Sequence, residues 1–554
     1  MPRTLHALPG LLFALALAAA GPARGAGDRG PGTLHDDHGN IDPPVQGTDG
    51  QACQDGVSSG FACRNVELLG RLTLAELGGG SGSDSWGWKD PQTGRYYALF
   101  ARSSGTSFVD VTDPTDPVLV GNLSSAGGSQ PWRDVKTYAD HAFIVADAVA
   151  GHGMQVFDLT RLRGVTAPQT FTADARYTGF GPAHNVAIDE ATGFAYAVGT
   201  DTCDGGLHIV DIRNPKNPEY AGCYEGDGYT HDVHCVSYDG PDEDYAGREV
   251  CFASNEDSLT LVDVTAKDAP SLIARLAYPF VGYSHLGWLT DSHRYFLLGD
   301  ELDELGTGAN ARTLVFDVSD LDAPAYVGAH HGSHSTIDHN LYARGPFVFQ
   351  ANYQAGLRIL LMEDLARAEL REIGYFDTFP EGDDRGFDGA WNVYPFFDNG
   401  TLLVSDMNRG LFVLGASLPA SEASPINGRT SGVYTADGYG DQGLVFLVTE
   451  NNDGPYAFFT WFLYLGGEPF WITGGAPFEY GASDIDIPTQ RLEGLEFLTP
   501  SDARATRIDI GTLNVHRHHC QAVHVTWDFG ALGTGDLHMT RLGGIEGREC
   551  RANR

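Results

Sequence analysis

One phrase keeps returning in this chain. GTSFVDVTDPTDPVLVGNL at 105–123, GLHIVDIRNPKNPEYAGCY at 206–224, SLTLVDVTAKDAPSLIARL at 258–276 and RTLVFDVSDLDAPAYVGAH at 312–330 each set a β-branched run ending in Asp before a polar turn and a second apolar run. That pattern reads as two antiparallel strands with a tight connection. Looser copies begin at Met154, Leu357 and Leu411, which makes seven. A second phrase precedes the first: HNVAIDEATGFAYAVG, HDVHCVSYDG…REVCFAS, HLGWLTDSHRYFLLG and HNLYARGPFVFQAN put a His at the head of two more strands, at intervals of 47, 54 and 54 residues. A period near 50 with four strands per unit specifies an all-β fold, a seven-bladed β-propeller, in which each blade buries its faces only against its neighbours.

The ends of the array predict how the ring closes. The seventh unit stops after LFVLG and lacks an outermost strand, while VELLGRLTL at 66–74 stands before the first unit with no partners of its own. The N-terminal segment is therefore expected to complete the last blade and remove the open edges.

Propeller geometry then gathers distant residues. The head of each blade's first strand faces one mouth of the central channel, so His184, His231, His285 and His339 fall at one place, with Ser85, Arg133 and Trp391 at the corresponding positions of other units. Second strands run back to the same mouth and end in Arg102, Asp147, Asp201, Glu256, Asp300 with Glu301, Tyr353 and Asp406. One use of such a mouth is a binding or scaffold face, Arg133, Trp391, Asp147, Asp201, Glu256, Asp300, Glu301 and Asp406 meeting a protein, glycan or small molecule. Another is a transition-metal centre on the four histidines, with carboxylates behind them, supporting Lewis-acid or redox chemistry. The leading expectation is an exported binding or scaffold protein, and the alternative is a metalloenzyme. A glycan site on Trp86, Trp88, Trp132 and Trp391 is a third use. Asp110, Asp158, Asp211, Asp263 and Asp317 close third strands and are expected to cap turns. Asp239, Asp242 and Asp244 in a hairpin tip could hold Ca2+.

Composition bounds the partners and the compartment. A net charge of −38 argues against nucleic acid, whose binding needs basic patches. Residues 1–20, with Arg3 and LLFALALAAA, read as a secretory signal peptide, and no other run approaches a transmembrane span. Secretion, to the cell exterior or the periplasm, suits eight cysteines in four close pairs: Cys53 with Cys63, Cys203 with Cys223, Cys235 with Cys251 and Cys520 with Cys550. Residues 21–65 read as a flexible leader with a disulfide loop, 66–415 as the propeller and 416–429 as a linker. Residues 430–554 read as a small β-sandwich or barrel. HExxH and Walker loops are absent.

Across about 53–415, GFACRNVELLGRL, SWGWKDPQTGRYYAL, WRDVKTYADHAFIV, HGMQVFDLTRLR, GDELDELGTG and IDHNLY resemble bacterial secreted proteins with LVIVD repeats, the choice-of-anchor B group. The resemblance implies an exported propeller-like domain and brings no catalytic residues with it. The tail phrases SGVY, TWFLYL and PFWITG are similar to a small β domain at the ends of exported proteobacterial proteins. The chain ends in CRANR without a sorting motif, which favours secretion or periplasmic residence over covalent anchoring.

Overall fold

The computed structural model describes residues 52–418, 426, 428–436, 442–451, 454–465, 467–478, 482, 484–493, 506–519 and 522–544. Seven sheets follow one another in sequence, each built outward from an inner strand and antiparallel except that Gln169–Phe171 joins the outer edge of the first in parallel. The first blade comprises Gly82–Lys89, Tyr96–Arg102, Gly105–Asp110 and Val118–Ser124. The remaining inner strands are Arg133–Tyr138, Asn185–Asp189, Asp232–Ser237, Ser284–Leu289, Asn340–Arg344 and Ala390–Tyr394. Middle strands such as Tyr295–Asp300 are buried throughout because both faces pack against neighbouring blades.

The ring closes as the repeat required. Val66–Leu72 pairs antiparallel with Gly410–Ala416, Leu68 opposite Leu414 and Leu72 opposite Leu411, and so becomes the outer strand of the seventh blade. The segment just before it is also built into the propeller. Phe61–Arg64 lies against the outer strand of the sixth blade, Cys63 opposite Phe376, and carries Val57–Ser58 beyond it. The Cys53–Cys63 disulfide closes this two-stranded extension, so the part of the leader next to the ring is structured.

Two local devices repeat from blade to blade. Asp110, Asp158, Asp211, Asp263 and Asp317 each accept the backbone N–H two residues on, at 2.9–3.1 Å, and so fix the turn that follows. Most fourth strands carry a bulge next to a glycine, as at Gly222 and Gly328. A Cβ on Gly222 would stand 1.5 Å from the Lys267 carbonyl oxygen, because the polar turn of the next blade lies directly on that strand.

The disulfides follow blade geometry. Cys235 and Cys251 are directly opposite on adjacent strands, and Cys203 joins Cys223 across the third blade. Cys520 and Cys550 fall outside the described residues, as do residues 1–51, where a signal peptide is expected, and most of 416–429. The C-terminal part is a closed barrel of eight strands from Gly432–Thr435 to Thr534–Gly544, filled by residues such as Phe446, Phe459, Trp461, Leu513 and Val525.

Candidate functional site: the two mouths of the channel

The four repeat histidines stand side by side at one mouth. Ring centroids are 4.3 Å apart from His184 to His231, 4.1 Å to His285 and 4.4 Å to His339, with Trp391 a further 4.7 Å on. All four are buried, 1–5 % exposed, so they form a row beneath the surface. The expected open, histidine-lined face is therefore covered, and Tyr283 and Tyr353 pack against His231 and His339 from neighbouring loops.

Hydrogen bonds fix the rings. His231 Nδ1 donates to the His285 carbonyl at 3.1 Å and His339 Nδ1 to the Trp391 carbonyl at 2.6 Å, each reaching the next blade. His285 Nδ1 faces the His339 carbonyl at longer range and has no partner at hydrogen-bonding geometry. His184 Nδ1 pairs instead with Asp147 at 3.1 Å. Loss of water, then repulsion from neighbouring imidazoles, holds His231 and His285 well below the usual imidazole range. Burial takes His339 down to about 3.

This row does not converge as a four-histidine centre. The ligand atoms that lie mutually within 4.8 Å are those of His285, Glu301 and His339, a set that omits His184 and His231. The row thus brings two imidazoles and one carboxylate, not four imidazoles, within mutual reach. Glu301 approaches His285 Nε2 at 3.7 Å and His339 Nε2 at 3.9 Å, and accepts the Tyr353 hydroxyl at 2.7 Å.

The other residues expected here divide in two. Asp201 is exposed and Glu256 half-buried. Asp300 and Asp406 are fully buried and accept backbone amides, from Gly282 and Tyr283 and from Asn408 and Arg409 respectively, which is loop support and not a surface. Arg133 is 2 % exposed and bonds Ser125 and His152. Arg102 turns outward to Ser107 and Asn122. The residue repeating Asp134's role, accepting an amide of the next blade, is Asp84, so a bulge places Ser83 and not Ser85 at the head of the first strand.

The opposite mouth is the open one. Three residues after each head stand Trp86, Lys136, Ala187, His234, Trp288, Tyr342 and Tyr394, and these line a pocket of about 370 Å3 with Phe396, Asp189, Glu190 and Asp232. Trp288 stacks on His234 at 3.7 Å and meets Tyr342 at 4.9 Å, while Trp86 meets Tyr394 at 5.0 Å. Lys136 sits 4.6 Å from the Trp86 ring and is held by Asp84, at 3.2 Å, and Asp134. Half-buried Asp232 is pushed up to about 7 by loss of water and by the charge of Asp134. The same alignment that revealed the histidines contained this second ring, three positions further on.

Two expectations are corrected by these positions. Trp86 lies at the open mouth and Trp391 at the histidine mouth, while Trp88 stacks on Tyr97 and donates to Asp140, so the four tryptophans share no site. Asp239, Asp242 and Asp244 do not converge either: Asp242 accepts the Asp244 and Leu321 amides, and Asp239 pairs with His293 at 2.9 Å.

Fold and site together define a seven-bladed propeller with a buried histidine mouth and an open aromatic mouth, followed in sequence by an eight-stranded barrel. Residues 181–225 match the LVIVD repeat, a repeat family that forms β-propellers. No curated protein matches the chain. A solved protein from Lactobacillus plantarum is similar at 16% identity and a TM-score of 0.40, over 60% of this chain and 90% of that one. The periplasmic gluconolactonase of Pseudomonas aeruginosa is similar at 12% identity and a TM-score of 0.38, over 54% of this chain and 86% of its own. A hypothetical selenium-binding protein from Sulfolobus tokodaii is similar at 11% identity and a TM-score of 0.37, over 54% and 82%.

Proposed function

We propose that this is an exported binding propeller that takes a small organic ligand at its aromatic mouth. The observation carrying the reading is the pocket itself: flat rings of Trp86, Trp288, Tyr342 and Tyr394 beside Asp189, Glu190 and Asp232. Aromatic walls take an apolar face, and the exposed Glu190 carboxylate beside them takes a hydrogen-bond donor, which suits a sugar or an organic amine. Three disulfides fit an extracellular or periplasmic protein, and no helix among the described residues is long and apolar enough to cross a membrane. Quenching of intrinsic tryptophan fluorescence by soluble glycans and organic amines, together with extraction of protein recovered from its host, tests the reading. A ligand lost in Trp288→Ala supports it; an empty extract and an unresponsive pocket refute it.

The metalloenzyme is the less favoured reading, because the four imidazoles do not share a centre. Its narrower form rests on His285, Glu301 and His339, the two imidazoles and one carboxylate that do approach one another. Analysis of the purified protein for a transition metal, lost in a His285→Ala/His339→Ala variant, decides it.

A further inference from the structure

We propose that Asp303, Glu304 and Asp338 hold a Ca2+-class cation beneath the histidine mouth. One oxygen from each lies within 4.8 Å of the others, and the three side chains are 1 %, 0 % and 2 % exposed. Both carboxylate oxygens of Glu304, both of Asp338 and Oδ1 of Asp303 are buried with no hydrogen-bond partner. The remaining oxygen, Asp303 Oδ2, is met by Arg312 Nε, and that guanidinium is shared with Asp300 at 3.7 Å. Five buried carboxylate oxygens of one cluster thus lack a donor at hydrogen-bonding geometry, and burying unpaired carboxylate is costly.

The alternative to a cation is protonation. Burial, then the charges of Asp338 and Asp303, pushes Glu304 up to about 12, and Asp338 stands well above the carboxylate range for the same first reason. A cation removes the need for those protons. All-oxygen donors select hard ions. Ca2+ accepts six to eight oxygens at about 2.3–2.6 Å, including bidentate carboxylates, whereas Mg2+ keeps several waters that so buried a site excludes. The backbone makes room for the carboxylates, since a Cβ on Gly299 would come within 2.7 Å of Asp338 Oδ2.

The position gives the cation a task. Asp303 and Glu304 open the short helix Asp303–Thr307 just after Glu301, and Asp338 precedes His339 in a loop, so the ion would tie the segment that follows the second strand of the fifth blade to the entry of the sixth. It would thereby set Glu301 against His285 and His339. This site stands apart from the aromatic mouth, and its failure would leave the binding reading intact.

Chelator-stripped protein is dialysed against Ca2+ in about 0.15 M salt, where diffuse attraction to an acidic surface is screened. The expected result is one Ca2+ per chain, a Tm that rises with the logarithm of Ca2+ concentration, and an affinity lowered at least tenfold by Glu304→Gln or Asp338→Asn. Asp268→Asn, at an exposed carboxylate outside any such cluster, leaves binding unchanged. If either buried variant fails to fold, the wild-type titration still decides. No stoichiometric Ca2+ on the wild type, a Tm indifferent to chelator, or an affinity that survives both substitutions overturns the proposal.

Discussion

Gly222 tests how one blade is seated on the next. A Cβ there would lie 1.5 Å from the Lys267 carbonyl oxygen and 2.5 Å from its carbon, both backbone atoms of the following blade's turn. Ordinary contact needs about twice that separation, so Gly222→Ala must displace a strand or a turn. Overpacking of this kind costs about 1–3 kcal/mol, and the lost backbone freedom of the unfolded chain returns less than about 1 kcal/mol. Gly328 occupies the matching position two blades on, yet the nearest atom to its added Cβ is the Ala368 Cβ at 3.3 Å, a side-chain methyl that can give by tenths of an ångström. Gly328→Ala should therefore be neutral to within about 1 kcal/mol. Urea midpoints followed by far-ultraviolet circular dichroism compare the two without assuming one transition for the whole chain. The expected order is wild type close to Gly328→Ala, with Gly222→Ala clearly lower. Equal midpoints for the two variants would refute the inference that the turn of one blade bears on the glycine of its neighbour.

Two other perturbations bear on the same frame. His339 stays neutral in the fold down to about 3 while an unfolded histidine titrates near 6.5, so the unfolded chain binds the extra proton in that window. Stability from this group is complete above pH 6.5 and falls as pH drops toward 3, by about 2 kcal/mol between pH 6.5 and 5. His339→Asn, which keeps a donor for the Trp391 carbonyl, should flatten the plot of Tm against pH over that range; a parallel plot would contradict the assignment. Removing the Cys235–Cys251 bond by double Ser substitution opens a loop of 16 residues and should cost about 3 kcal/mol. An unchanged urea midpoint would show that the bond adds nothing to the stability of the fourth blade.

Much of this architecture was legible because a repeat fixes position as well as structure. Four histidines at one place in the unit had to meet at one mouth, and the unpartnered strands near Leu68 and Leu411 had to find each other. Cys235 and Cys251, equally far from the ends of paired strands, had to face one another. Ring direction was not legible. It depends on which carbonyl or carboxylate each Nδ1 finds, and those bonds leave two of the four imidazoles, His285 and His339, within mutual reach of Glu301. The bulge between Gly82 and Ser85 likewise moved the first head by two residues. The aromatic mouth was not legible although Trp288, Tyr342 and Tyr394 stand in register, because aromatic residues inside a strand carry the same pattern as core residues packed between blades. The buried carboxylates were hidden for another reason: Asp303 and Glu304 meet Asp338 only through a connection between blades that no local pattern encodes.

Both mouths exist only if the N-terminal strand closes the ring. Glu67 stands opposite Gly415 across that seam, so a Glu67→Cys/Gly415→Cys variant reports on it directly. After mild oxidation and proteolysis, mass spectrometry should find the peptides containing positions 67 and 415 joined within one chain. Both thiols free under conditions that leave the Cys235–Cys251 bond formed would contradict the closure and, with it, the channel and its two sites.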